Sequence, residues 1–331
     1  MESARHKLVH PGYRPEIDGL RAIAVLSVVG YHVAPAALRG GFVGVDIFFV
    51  ISGFLISTII FGNLERDRFS YAEFYARRIK RIFPALLLVL CLSLAFGWYV
   101  LLPDEFRQFG KHLMAGAGFV SNFALWSEAG YFDRAAEVKP LLHLWSLGIE
   151  EQFYILWPLL LGIVWYRKSS FLMVTLLVAI LSFIINIYCA YRDPAADFFS
   201  PFTRIWELMV GGILAYIVLY KPHYISSNAK LLSLLSLLGL LLIIFSVGFL
   251  PESASFPGWW ALLATLGAFL LIAGGPGAWV NRYLLSNRLM VWVGLISYPL
   301  YLWHWPLLSF ARIIEGDNQL QALNSLRPWQ A

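Results

Sequence analysis

The chain is dominated by a repeated feature: apolar runs of about twenty residues, the length a helix needs to cross the hydrocarbon core of a bilayer. Such runs fall at 22–38, 42–62, 83–102, 142–165, 171–191, 203–220, 231–250, 258–280 and 289–311. With 59% hydrophobic and only 14% charged residues, against about 45–50% and about 25% in soluble domains, the chain reads as a polytopic membrane protein. The fold class expected is all-α: a transmembrane helical bundle of about nine to ten spans with one re-entrant segment. The formal net charge of +5 is then the Lys/Arg bias of cytoplasmic loops, not a nucleic-acid surface. Cys91 and Cys189 both lie inside apolar runs, which argues against a disulfide framework or a metal cluster. The opening "MESARHKLVHPGYRPEIDGLR" is polar and basic with no cleavable signal, so the first span serves as an uncleaved anchor.

One stretch is ambiguous. "EFRQFGKHLMAGAGFVSNFALW" (105–126) carries Glu105, Arg107, Lys111 and His112 in its first turns. Between the second and third spans, Arg66, Arg68, Arg77, Arg78, Lys80 and Arg81 outnumber Glu65, Asp67 and Glu73. Arg167/Lys168, Lys221/Lys230 and Arg282/Arg288 mark three later basic loops. If 105–126 crossed the membrane, those three loops would face outward, against the positive-inside rule. We therefore read 103–140 as external and partly re-entrant. That leaves nine full spans with the N-terminus in the cytoplasm and the C-terminus outside.

An ionisable group inside a span costs at least about 2.5–3.5 kcal/mol on insertion scales, so each one is a candidate for function. Arg21 and His32 are eleven residues apart on the first span, about 16 Å along a helix and nearly on one face. Arg21 reads either as a group snorkelling to the headgroups or as part of the site, and His32 as a general base or proton relay. "ARRIKRIFPAL" places Arg77, Arg78 and Arg81 before the third span, either as a positive-inside anchor or as a cradle for an anionic ligand. In "HLWSLGIEEQFYILWP", at the outer end of the fourth expected span, His143, Ser146 and Glu150 share a helix face, with Glu151 alongside. Adjacent carboxylates there suit a polar cavity and a proton-accepting or hydroxyl-binding role; a solvated interfacial position is the alternative. Arg204 and Glu207 in "SPFTRIWELMVGG" are spaced to neutralise each other. His304 in "SYPLYLWHWPLL" lies between two tryptophans and suits an aromatic belt as well as a site. Asp46, in "GGFVGVDIFFVISGF", has glycines around it that permit close helix approach and is placed to pair with His32.

In order along the chain, "YRPEIDGLRAIAVLSVVGYHV", "GGFVGVDIFFVISGFLIS", "FYARRIKRIFPAL", "LLHLWSLGIEEQFYILWP", "FTRIWELMVGG" and "SYPLYLWHWP" resemble the acyltransferase-3 family of membrane acyltransferases. The likeness is greatest to bacterial O-acetyltransferases of lipopolysaccharide O-antigen and related glycans, and covers roughly residues 12–312. It implies acetyl-CoA as cytoplasmic donor, with no metal, and a sugar hydroxyl of a glycan or lipid-linked oligosaccharide as acceptor on the outer side of the bacterial inner membrane. Arg21 and His32 match the family's Arg-x10-His pair, with His32 the catalytic candidate alongside Arg21, Glu150 and Glu151. Arg78 and Arg81, with Arg77 adjacent, match its Arg-x-x-Arg motif and are expected to bind the donor. Asp46, His143, Ser146, Arg204, Glu207 and His304 are expected to bind the acceptor.

The chain departs from the resemblance at its end. A further span, a closing Glu-Lys-Pro-like signature and a periplasmic SGNH-type domain, usual in such enzymes, are not found in the sequence. The expectation is an acyltransferase domain over 1–312, shortened relative to the family, and an unstructured tail over 313–331. The alternatives to acetyl transfer are a module that translocates an acyl group or substrate without its own chemistry, or an inactive truncated remnant.

Overall fold

The computed structural model describes residues 12–129, 136–250 and 255–325. Thirteen α-helices occur among them: α1 (Pro15–Val33), α2 (Gly44–Leu64), α3 (Tyr71–Val100), α4 (Pro103–Ala117), α5 (Ser121–Glu128), α6 (Leu144–Tyr166), α7 (Phe171–Arg192), α8 (Pro194–Phe199), α9 (Pro201–Tyr220), α10 (Ala229–Phe249), α11 (Ala261–Gly274), α12 (Arg288–Leu295) and α13 (Ser297–Ser325). No strand occurs among the described residues. Local signals set many of the starts. Pro15, Pro103, Pro194 and Pro201 open their helices, where a missing N–H costs nothing. Ser70, Ser170, Asn228 and Asn287 cap the first turns of α3, α7, α10 and α12 with a side-chain oxygen.

Among the described residues, six helical stretches are long and apolar enough to cross a membrane: Gly41–Leu64, Tyr71–Val100, Leu144–Tyr166, Phe171–Arg192, Pro194–Tyr220 and Ala229–Phe249. They coincide with the second to seventh expected spans. The other three are less regular. α1 is 19 residues long but opens with Glu16, Asp18 and Arg21. α11 has only 14 residues. The run 289–311, expected to be one helix, divides at Ile296 into α12 and α13; Pro299, in the first turn of α13, has no N–H with which to continue the ladder of α12. The segment 103–140 contains α4 and α5, of 15 and 8 residues, each too short to span about 30 Å at 1.5 Å per residue. Residues 130–135 of that segment lie outside the described ones. α13 continues to Ser325, so residues 313–325, expected as part of an unstructured tail, are helical.

α2 is the hub. Within its apolar window 89% of residues are buried, against 22% for α7 and 28% for α10. The peripheral helices turn large apolar side chains outward, including Leu177, Ile180 and Ile184 on α7 and Leu234, Leu241 and Ile244 on α10. Exposure on that scale is how a bundle meets lipid. Glycine sets the contact between α2 and α9. A Cβ on Gly53 would lie 1.8 Å from the Leu208 carbonyl oxygen, and one on Gly211 2.1 Å from that of Val50. Only small residues let the two backbones approach so closely. This contact brings the polar residues of α2 and α9 to the centre of the bundle.

Candidate active site

The polar residues singled out by sequence fall into three groups. The first lines a cavity of about 650 Å³ bordered by the N-terminal half of α1, the middle of α2, the start of α3, the first half of α6 and the start of α13. Arg14, Arg21, Arg78 and Arg81 reach its wall, together with Asp18, Glu150 and Glu151. The Arg-x-x-Arg spacing explains itself on α3. Arg78 and Arg81 are three residues apart on one helix face and line the cavity, while Arg77 turns away and pairs with Glu73. Of the three arginines assigned to donor binding, Arg77 is thus the one that does not line the cavity. Arg21 donates to Asp18 at 3.2 Å, and Arg14 to Glu16 at 2.7 Å. Arg78 lies over the rings of Phe74 and Tyr154 at 5.8 and 5.5 Å, and its buried Nε has no partner. A buried guanidinium N–H left unpaired is costly, and an anionic ligand in the cavity would satisfy it.

Glu150 accepts hydrogen bonds from the Ser52 and Tyr154 hydroxyls, and Glu151 is buried with Oε1 unpartnered. Sequence placed these carboxylates with His143 at the outer end of a span. In the structure Glu150 lies seven residues, about 10 Å, inside the end of α6 and shares the cavity with the arginines.

The second group is a histidine cluster at the opposite end of α1. His32 is in the last turn of α1, half-buried beside the exposed Val33–Ala37 stretch. Its ring lies nearly parallel to that of His304, with centroids 5.2 Å apart and planes at 14°. His32 Nδ1 is 3.1 Å from His304 Nε2. His304 Nδ1 is 2.5 Å from the Tyr301 carbonyl oxygen. His143 comes within 5.6 Å of His304, ring to ring. Trp305 packs 4.4 Å from the His32 ring, and Arg312 donates to the His32 carbonyl at 2.6 Å. Among the described residues no three His, Cys, Asp or Glu side chains are arranged to hold a metal ion.

Tyr301 joins the two groups. It lines the cavity, its hydroxyl is 2.6 Å from that of Ser146 and donates to the His143 carbonyl at 3.0 Å, and its carbonyl holds His304. Cavity and histidines are therefore separated by one layer of side chains.

The third group stands apart. Asp46 does not reach His32. It pairs with Arg204 instead, and Glu207 lies 3.3 Å from Arg204 Nε. All three have 0% exposure, and none lines the cavity. The Arg204 guanidinium is boxed by the rings of Phe49, Trp145 and Phe256 at 5.5–5.6 Å. The Arg204–Glu207 pair anticipated from spacing is present, with Asp46 as an unforeseen second carboxylate. This arrangement ties α2 to α9 and offers no ligand-facing surface.

Sequence reasoning passed over Ser52, Tyr154, Tyr301 and Arg312. Tyr154 could have been found from its i, i+4 spacing to Glu150, and Tyr301 from its i, i+3 spacing to His304. Nothing local marks Ser52 or Arg312, which are brought in by packing of distant helices. In the segment 103–140, Glu128 meets His112 at 2.7 Å and Lys139 at 3.5 Å. Burial works to raise the Glu128 carboxyl, but the His112 hydrogen bond and charge prevail and hold it below the usual carboxylate value.

Comparison with known proteins gives the family of the chain. The sequence matches the acyltransferase domain family over residues 14–330. It is 33% identical over 328 residues to "O-acetyltransferase OatA" of Staphylococcus aureus, covering 95% of this chain and 54% of that protein. It is 30% identical over 310 residues to "Peptidoglycan O-acetyltransferase OatA" of Listeria monocytogenes, covering 90% and 50%. It is 34% identical over 327 residues to "Putative peptidoglycan O-acetyltransferase YrhL" of Bacillus subtilis, covering 94% and 51%. The chain spans about half the length of these curated relatives. No solved structure matches it. Because the family match runs from α1 through α13 and takes in both the arginine-lined cavity and the histidine cluster, the chain belongs to the acyltransferase-3 family.

Proposed function

We propose that this chain is a membrane O-acetyltransferase that carries an acetyl group from a cytoplasmic thioester donor, acetyl-CoA, to a sugar hydroxyl on the outer face of the bacterial cytoplasmic membrane. The observation that supports this most is the division of α1. An arginine-lined cavity lies along its N-terminal half and a histidine at its last turn, with Tyr301 between them. Arg78 and Arg81 hold the donor's phosphates as forked donors, with Arg21 behind them. Glu150 and Glu151 line the same cavity and orient polar parts of the bound donor. His32 is the general base: its free ring nitrogen takes the proton of the acceptor hydroxyl as that oxygen attacks the thioester carbonyl. The new C–O bond forms, the C–S bond breaks, and the proton passes from the imidazolium to the departing thiolate.

The acceptor is a cell-surface glycan. The names of the relatives, two of which specify peptidoglycan, favour that polymer over the lipopolysaccharide O-antigen suggested by the resemblance alone. The basic loops support a topology with the N-terminus in the cytoplasm. The test is O-acetyl content of the surface glycan in cells expressing wild type or His32→Ala at matched membrane levels. Loss of acetylation in the variant is expected. Retained acetylation removes His32 from the chemistry.

A further inference from the structure

The histidine cluster contains one fixed point, a backbone carbonyl. The Tyr301 carbonyl oxygen can only accept, so His304 Nδ1, 2.5 Å away, must carry a hydrogen. A neutral His304 then presents a bare Nε2. That lone pair faces His32 Nδ1 at 3.1 Å, so His32 Nδ1 must be the donor and its own Nε2 must be unprotonated. The surroundings of both rings keep them neutral. The charged group that touches His32 is the Arg312 guanidinium, on its carbonyl, and the neighbours of the two rings are aromatic or imidazole side chains, Tyr31, His143, Tyr301 and Trp305. An imidazolium here would have a cation beside it and no carboxylate.

We infer that His304 is a positioning residue: it accepts from His32 Nδ1–H, anchored in turn by the Tyr301 carbonyl, and so holds His32 in the tautomer whose Nε2 is free to take a proton. The inference rests on the reading of His32 as base. It reassigns His304, which the sequence placed among acceptor-binding residues. The logic is that of any base oriented through its second nitrogen, except that the orienting group is a neutral imidazole. A neutral acceptor fixes the tautomer without adding a negative charge to a span. During transfer, the proton taken up at His32 Nε2 leaves a cation whose Nδ1–H stays bonded to His304 Nε2. When the thiolate takes that proton back, the starting tautomer is restored with no change at His304.

The experiment uses the chain in lipid nanodiscs with 15N-labelled histidine. The His32 signals are assigned by their disappearance in His32→Gln. In wild type, His32 is expected to be protonated at Nδ1 and bare at Nε2. His304→Leu removes the acceptor and should return His32 to the Nε2-protonated form that imidazole prefers in water. Its turnover with acetyl-CoA and a glycan fragment should fall about 10²–10⁴-fold, the cost of losing a correctly protonated base, with KM for the donor unchanged. His304→Gln keeps an acceptor oxygen at the position of Nε2 and should retain both the Nδ1–H tautomer and turnover within about tenfold of wild type. An Nε2-protonated His32 in wild type, or an unchanged tautomer in His304→Leu, overturns the inference. A wild-type chain that shows the Nδ1–H tautomer but transfers no acetyl group supports the positioning while counting against the proposed reaction.

Discussion

Removing Arg204 should destabilise the bundle more than removing any cavity arginine. Asp46, Arg204 and Glu207 all have 0% exposure, so neither carboxylate can turn to water when the guanidinium goes. At 3.3 Å and an effective dielectric of about 20, the Arg204–Glu207 attraction alone is about 5 kcal/mol before desolvation is subtracted. Asp46 is closer still. Arg204→Met leaves two buried carboxylates without a counter-ion, which should cost about 3–5 kcal/mol of unfolding free energy. Arg204→Met combined with Asp46→Leu and Glu207→Met removes all three polar groups and should recover most of that loss, because a packed apolar replacement is commonly neutral or better. Denaturant unfolding in detergent micelles, read by tryptophan fluorescence with Trp145 in the Arg204 box, gives both numbers. A loss below about 1 kcal/mol for the single variant, or a triple variant no more stable than the single, would refute the reasoning.

Three further outcomes follow from the geometry. Gly53→Ala places a Cβ 1.8 Å from the Leu208 carbonyl; forcing α2 from α9 should cost about 1–3 kcal/mol, whereas Gly62→Ala, with open space around it, should change the same unfolding midpoint little. Glu128 is held below the usual carboxylate value in the folded chain, so its contribution is present above the unfolded value of about 4.3 and is lost as pH falls through the lower folded value. Acid unfolding of wild type and Glu128→Gln should therefore differ above that range and converge below it; parallel curves throughout would contradict the assignment. With Cys91 and Cys189 replaced, a cysteine at Ser169 should react with a membrane-impermeant thiol reagent only from the cytoplasmic side and one at Ala136 only from outside; the reverse pattern contradicts the topology.

Sequence patterning was enough for the helical bundle and for six of the nine anticipated spans, because twenty apolar residues in a row leave the backbone little choice. It misjudged the run 289–311 because apolarity does not report Pro299, and it missed the helical continuation into 313–325 because that stretch is polar. At the site, one-helix spacing was informative: Arg78 with Arg81, and Ser146 with Glu150, share a cavity wall as their registers require. Contacts between helices were not legible. Asp46 and His32 belong to adjacent helices and invited pairing, but α2 turns Asp46 toward α9. His304, placed by its neighbours in an aromatic belt or an acceptor site, hydrogen-bonds His32 across 272 residues of sequence. The Glu150–Glu151 pair lies with the arginines because α6 enters the bundle deeper than its charges suggested.

The central claim is that donor binding and proton transfer occupy opposite ends of α1. Steady-state kinetics of the purified chain in nanodiscs, with acetyl-CoA varied against a saturating glycan fragment, separate the two. Arg78→Gln should raise KM for acetyl-CoA at least tenfold with kcat little changed, and His32→Ala should lower kcat by about 10²-fold or more with donor affinity retained. Equal loss of both constants in both variants, or turnover by His32→Ala near the wild-type rate, would contradict the account.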